Sequence, residues 1–152
     1  MTYSEDYLAD LMVRMAHHST AIEGNTLTQG ETKSVLVDGY IPRAMDMREL
    51  NEVLNYKAFM SFLLARTQEA VPLSRSLIRE VHSNSPFPQR QRSRSRALMV
   101  YSCFLADMTP IVIPAERRKA YINDPNTDDL QGFASFAEEL QAEERGRTEA
   151  FT

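Results

Sequence analysis

SPFPQRQRSRSRALMVYSCFLADM, residues 85–108, changes character at its midpoint. The first half is polar and rich in arginine. The second half, from Ala97 to Met108, is almost unbroken apolar sequence. A helix that is apolar on every side is a buried one, so this half predicts the central helix of an all-α fold. The unpaired N–H groups at a helix start attract negative charge, so the junction between the halves is a natural place for phosphate chemistry. Cys103 lies inside the apolar run and reads as a small buried hydrophobe rather than a nucleophile. Thr109-Pro110 should end the helix, and Ile111-Val112-Ile113-Pro114 reads as extended chain.

Upstream, apolar residues recur at three- and four-residue steps. Leu8, Leu11, Met12, Met15, Ser19 and Ile22 predict a first helix over 4–22, capped by Ser4 and stopped at Gly24-Asn25. Thr28 and Glu31 have capping-box spacing and open a short second helix ending at Asp38-Gly39. Asp46 and Glu49 open a third, which runs to about Arg66 with Leu50, Val53, Leu54, Ala58, Phe62 and Leu64 on one side. Ser74 caps a fourth, with Leu77, Ile78 and Val81, which ends near Asn84 because Pro86 disfavours helix just before it.

Downstream, residues 115–122 read as a short basic helix and Asp124-Pro125-Asn126 as a turn. Thr127 can cap a last helix presenting Leu130, Phe133, Ala137 and Leu140. Residues 1–143 therefore read as a single helical domain and 144–152 as a polar, frayed C-terminal tail.

The chain has 152 residues, enough for one domain with a real core. Its formal net charge of −4 gives no general attraction to nucleic acid or to an acidic membrane. The apolar stretch near 98–105 is too short to span a bilayer, and residues 2–10 do not resemble a signal peptide. A cytoplasmic location is the expectation, with no nucleic-acid or membrane partner. The four arginines at alternate positions form a basic patch, but no aromatic residue interleaves for base stacking. A solvated loop is the simpler reading.

Spacing alone assigns no catalytic set. His17 and His18 are adjacent, so they point about a third of a turn apart, and one packed and one solvated histidine is expected. His82 reads as a packing or hydrogen-bonded residue.

Two segments stand out by resemblance. Ser19-Thr20-Ala21-Ile22-Glu23-Gly24-Asn25-Thr26-Leu27-Thr28 resembles the inhibitory-helix segment of the Fic (filamentation induced by cAMP, or Fido) family: serine or threonine, three residues, glutamate, then glycine or asparagine. The resemblance continues through Glu31-Thr32, Val37-Asp38-Gly39, Arg48-Glu49, Asn55 and Ala58, then Leu77-Ile78-Arg79-Glu80-Val81-His82. It resumes at Arg96-Ala97-Leu98-Met99 and at Pro110-Ile111-Val112-Ile113-Pro114, Arg117 and Tyr121. The resemblance implies a helical Fic-like bundle and a protein adenylyltransferase, which moves AMP from ATP to a hydroxyl of a target protein. It implies ATP and Mg²⁺ as cofactors, a histidine base, an acid for the metal, and glycines and arginines around the phosphates. It also implies that the inhibitory glutamate pairs with the last arginine of the catalytic motif. On that basis Ser19, Glu23 and Gly24 are the inhibitory residues, Arg96 and Arg92 the phosphate residues, and Glu23 and Arg96 should lie close together.

The catalytic motif departs from the family pattern His-Pro-Phe, two residues, Gly-Asn-Gly-Arg, two residues, Arg. Pro86, Phe87 and Arg96 match. Ser85 stands at the base histidine, and a serine needs its own activator. Gln89 stands at the metal-binding acid. Arg90, Gln91, Arg92 and Ser93 replace Gly-Asn-Gly-Arg, adding side chains where backbone must approach phosphate. Only Ser83 and Asn84 separate the fourth helix from this motif, where the family carries a target-docking flap and further core helices. The run QRQRSRSR can be encoded by codons whose neighbouring frame reads Ser-Gly-Asn-Gly-Arg-Gly-Arg, a point the nucleotide sequence decides. The implied function is protein adenylylation with catalysis impaired or absent. The alternative is a non-catalytic, antitoxin-like module that offers its inhibitory helix to a complete Fic partner.

Overall fold

The computed structural model describes residues 3–85, 91–117, 119 and 130–151, with backbone alone at 91–93. Among these residues all regular structure is helical, as the periodicity predicts. Helix α1 spans Glu5–Ile22 and begins on Ser4, whose hydroxyl accepts from the Tyr7 N–H at 3.2 Å. Helix α2 spans Gln29–Lys33. Thr28 Oγ1 accepts from the Glu31 N–H, and the Glu31 carboxylate accepts from the Thr28 N–H, so the capping box is complete. α2 widens into a π-helical turn, Ser34–Asp38, closed by Gly39 at φ +74°.

Helix α3, Met47–Gln68, begins on Asp46, which accepts from the Arg48 N–H at 2.7 Å. Helix α4, Arg75–Asn84, begins on Ser74, which accepts from the Leu77 N–H at 3.2 Å. Helix α5 spans Gln91–Leu105, a single 3₁₀ turn follows at Ala115–Arg117, and helix α6 spans Leu130–Glu149. The turn at 124–126, the Thr127 cap and most of the expected 115–122 helix lie outside the described residues.

α3 is the hub. α1 packs on one part of it and α5 on another. The main core joins Tyr7 and Leu11 of α1, Val53, Tyr56 and Phe59 of α3, Leu77 and Val81 of α4, and Val100 and Tyr101 of α5. A smaller cluster joins Ile22, Cys103, Ile111, Ile113 and Leu140. Cys103 is buried there as a hydrophobe, and burial raises its thiol pKa.

Several expectations need correction. The fifth helix is already helical at Gln91, six residues before the apolar run, because arginine is a good helix former and the backbone continues through it. It is also covered on one side only: Ala97, Val100, Tyr101 and Cys103 are buried, whereas Ser102 is exposed and Leu98, Met99, Phe104 and Leu105 are partly covered. On α3 the buried stripe runs through Leu50, Val53, Tyr56, Phe59, Met60 and Leu63, while Leu54 is 42% exposed. The aromatic side chains of Tyr56 and Phe59 set that face, and the aliphatic count alone misplaces it. Ile78, Leu130 and Phe133 are likewise exposed rather than packed.

The expected frayed tail is helix. α6 continues to Glu149, Glu144 is 5% exposed, and Phe151 packs against the main core. Polar composition predicts solvation, but Glu144 meets a buried arginine from the other end of the chain. A buried charge is tolerated when it is paired and hydrogen-bonded.

Candidate functional site

The site is the C-terminal end of α1. Its last turn closes in a Schellman arrangement: the Asn25 N–H bonds to the Thr20 carbonyl and the Gly24 N–H to the Ala21 carbonyl, each at 3.0 Å. Gly24 sits at φ +102°, a backbone shape that side chains disfavour, and a glycine is therefore favoured at this turn. The turn leaves Glu23 as the residue that caps the helix.

The chain after Gly24 is tied to the start of α3. Asn25 Nδ2 donates to the Glu49 carbonyl at 3.1 Å and to Glu52 Oε2 at 3.0 Å. The Glu49 carboxylate accepts from the Thr26 N–H at 2.7 Å and from Thr26 Oγ1 at 3.0 Å. Glu49 therefore serves the preceding loop rather than acting as a simple first-turn acid of α3.

Arg96 enters from α5 and is 2% exposed. Its Nη2 donates to Glu23 Oε1 at 3.2 Å and to the Ser19 carbonyl at 3.3 Å. The Arg96 and Glu23 side chains are 3% and 14% exposed, so water screens this pair weakly. Two negative sources converge on the guanidinium: the Glu23 carboxylate, and the carbonyl end of the α1 dipole. Ser19 Oγ shares a hydrogen bond with the Tyr56 hydroxyl at 3.0 Å. Tyr56 is fully buried, and burial pushes its hydroxyl pKa up while Ser19 and the Arg96 charge pull it down.

The fold thus gathers Ser19, Glu23, Gly24 and Arg96 at one place, from sequence positions up to 77 apart. Ser85 is buried at the end of α4. Gln89 and the side chain of Arg92 lie outside the described residues. Sequence reasoning missed Tyr56, and it read Asn25 only as a helix stop within the resembling segment, not as a tie to α3. An aromatic on the apolar stripe of α3 was the available signal for Tyr56.

The histidines do not add chemistry to the site. The rings of His17 and His18 lie 4.8 Å apart and both are half-buried, so neither is the solvated member that adjacency predicts. His18 Nδ1 accepts from the Ala115 N–H at 3.2 Å, which requires that nitrogen to be unprotonated. Burial first, and then the neighbouring His17, lower the His18 pKa to about 4. His82 is exposed rather than packed, because it follows Val81 around the helix toward solvent.

Among the described residues no cluster of three or more His, Cys, Asp or Glu could hold a metal ion. Glu23 is paired with Arg96. The Arg96 guanidinium is chemically suited to a phosphate oxygen. The described arrangement places the Glu23 carboxylate against the Arg96 guanidinium. What it can do chemically is hold a guanidinium shut under a carboxylate.

Part of the chain is similar to two curated proteins, each described as protein adenylyltransferase fic-1, from Caenorhabditis briggsae and Caenorhabditis elegans. Each match is 43% identical over 47 residues, covering 31% of this chain and 9% of the relative. The match thus spans under a tenth of the relatives' own length. No family model matches. No solved structure matches. Among the described residues, no helix is long and apolar enough to cross a membrane.

Proposed function

We propose that this chain is a Fic-like protein of adenylyltransferase descent, held in the inhibited arrangement and without AMP transfer of its own. The observation that carries the reading is the Glu23–Arg96 pair, 3.2 Å apart and largely shielded from water. The Ser19-to-Gly24 motif and Arg96 are the two ends of the family's inhibitory contact. The partial similarity to fic-1 supports the same descent.

Loss of transfer rests on the motif. A general base must accept the proton of the attacking hydroxyl, and Ser85 cannot do so at neutral pH. Gln89 offers a neutral amide where a divalent cation needs a carboxylate. ATP and Mg²⁺ enter this reading only as the cofactors of the ancestral reaction, and a target protein as its substrate.

The antitoxin-like alternative requires α1 to leave its own fold. α1 has nine buried residues, including Tyr7, Leu11 and Ile22, and its Glu23 already faces Arg96 of the same chain. Those contacts favour a clamp within the chain over one offered to a partner.

Two assays test the reading on the full chain. In a thermal melt, ATP should raise the Tm of Glu23→Gly more than that of the parent, because the carboxylate no longer competes for Arg96. An equal response rejects the clamp. With a labelled ATP and Mg²⁺, neither protein should take up AMP or pass it to added proteins. Label on Glu23→Gly would reject the loss of catalysis. Co-purification of the chain with a complete Fic protein through α1 would favour the alternative.

A further inference from the structure

We infer that Tyr56 is a positioning residue for the Glu23–Arg96 pair, acting through Ser19; this deepens the inhibited-clamp reading above and rests on it. Ser19 is bound at both of its polar ends. Its hydroxyl pairs with the Tyr56 hydroxyl of α3 at 3.0 Å, and its carbonyl accepts from Arg96 of α5 at 3.3 Å. One residue of α1 therefore joins three helices. Ser19 and Glu23 are four residues apart, so they lie on the same side of α1, one turn from each other. Whatever fixes the rotation of α1 at Ser19 also fixes the direction of Glu23.

The buried side chains of α1, Ile22 among them, set its rotation by packing, and Tyr56 adds a hydrogen bond to Ser19 at the turn that carries Glu23. Tyr56 has 0% exposure, so its ring has no room to swing, and its hydroxyl presents one defined partner position. The second anchor of the region, Glu49 on Thr26, acts beyond Gly24. Gly24 at φ +102° is a joint in the backbone, so an anchor past it does not dictate how Glu23 faces. The Schellman bonds close the turn but leave its rotation about the α1 axis to side-chain contacts. Arg96 lies near enough for its charge to act on the Tyr56 hydroxyl, which places hydroxyl, serine and guanidinium in one buried group. A bulk core aromatic would need no hydroxyl here, and phenylalanine would fill the same space.

The test is the nuclear magnetic resonance signal of the Arg96 side-chain N–H groups in the full ¹⁵N-labelled chain, identified by its loss in Arg96→Lys. A buried, paired guanidinium exchanges slowly with solvent. Tyr56→Phe and Ser19→Ala should each speed that exchange roughly tenfold, the scale of one lost hydrogen bond. The double variant should go no further than the larger single effect, because both remove the same bond. Tyr101→Phe is the control. It deletes a hydroxyl bonded to the Val71 carbonyl elsewhere in the same core and should leave the Arg96 signal unmoved.

Unmoved Arg96 signals in both Tyr56→Phe and Ser19→Ala would overturn the inference, as would an equal effect of Tyr101→Phe. If Tyr56→Phe does not fold, Ser19→Ala alone decides, since it removes the same bond from the other side. Glu23→Gln tests the underlying pair separately. If Arg96 does not respond to Glu23→Gln, the clamp itself is wrong, whatever Tyr56 does.

Discussion

Arg14 and Glu144 form a two-pronged buried pair across 130 residues of sequence, with Nη1 to Oε2 at 2.8 Å and Nη2 to Oε1 at 2.7 Å. The Tyr7 hydroxyl donates to the same carboxylate at 2.7 Å, and Arg14 Nε donates to Asp10 at 2.6 Å. Fork geometry of this kind is specific to arginine. It pins α6 against α1, the helix that ends in Glu23. Burial, the largest single influence, would lower the Arg14 pKa, yet the Glu144 and Asp10 carboxylates together outweigh it and raise it. Burial, and then Glu144, raise that of Tyr7.

Replacing one member of this pair should leave the other charge buried and uncompensated. Glu144→Gln is expected to destabilise the fold by about 3–5 kcal/mol, read as a lower urea midpoint. Truncation before Glu144 should cost at least as much. A change within about 0.5 kcal/mol, typical of surface sites, would mean that the C-terminal residues are solvated after all.

Stability should fall in mild acid. The folded pKa of His18 is depressed to about 4, and that of His17 is lowered too, both mainly by burial. The unfolded chain therefore takes up protons first, near its ordinary value of about 6.5. The His18 contribution is fully present above about 6.5 and is lost as pH falls toward 4. Melts at intervals from pH 7 to 4 should show a declining Tm, and His18→Gln should flatten the decline. An identical slope in the variant would assign the loss to other groups.

Two glycines should respond to alanine in opposite directions. Gly24→Ala puts a side chain at φ +102° and should cost about 1–2 kcal/mol, although open space surrounds the position. Gly146 lies inside α6, also with open space around it, so Gly146→Ala should gain up to about 1 kcal/mol in helix propensity. Paired denaturant curves compare them directly. A neutral Gly24→Ala would argue against the left-handed turn at the end of α1.

Glu49→Gln should cost about 1.5 kcal/mol, because a charged acceptor serving both the Thr26 N–H and hydroxyl becomes a neutral one. Amide hydrogen exchange at Thr26 should accelerate with it. Unchanged protection there would show that the loop does not depend on the carboxylate.

The starts of the first four helices were legible in the sequence. Ser4, Thr28 with Glu31, Asp46 and Ser74 each cap the helix that local spacing predicts. Caps are bonds between residues two or three apart, so the information is present in a few adjacent letters. The Glu23–Arg96 contact was legible in another way, through resemblance of two short motifs rather than through any spacing.

Tertiary structure decided the rest. Which face of α3 is buried depends on Tyr56 and Phe59 meeting α1 and α5, and aliphatic periodicity is nearly balanced between two choices there. Glu144 looks like one more acid in a polar run, and only the approach of Arg14 makes it a buried partner. The sequence by itself determined an all-helical chain, its caps and the turn at Gly24, since those follow from backbone preferences over a few residues. Packing decided which charges lie inside, because the cost of burying a charge is offset only by a partner that folding brings from far along the chain.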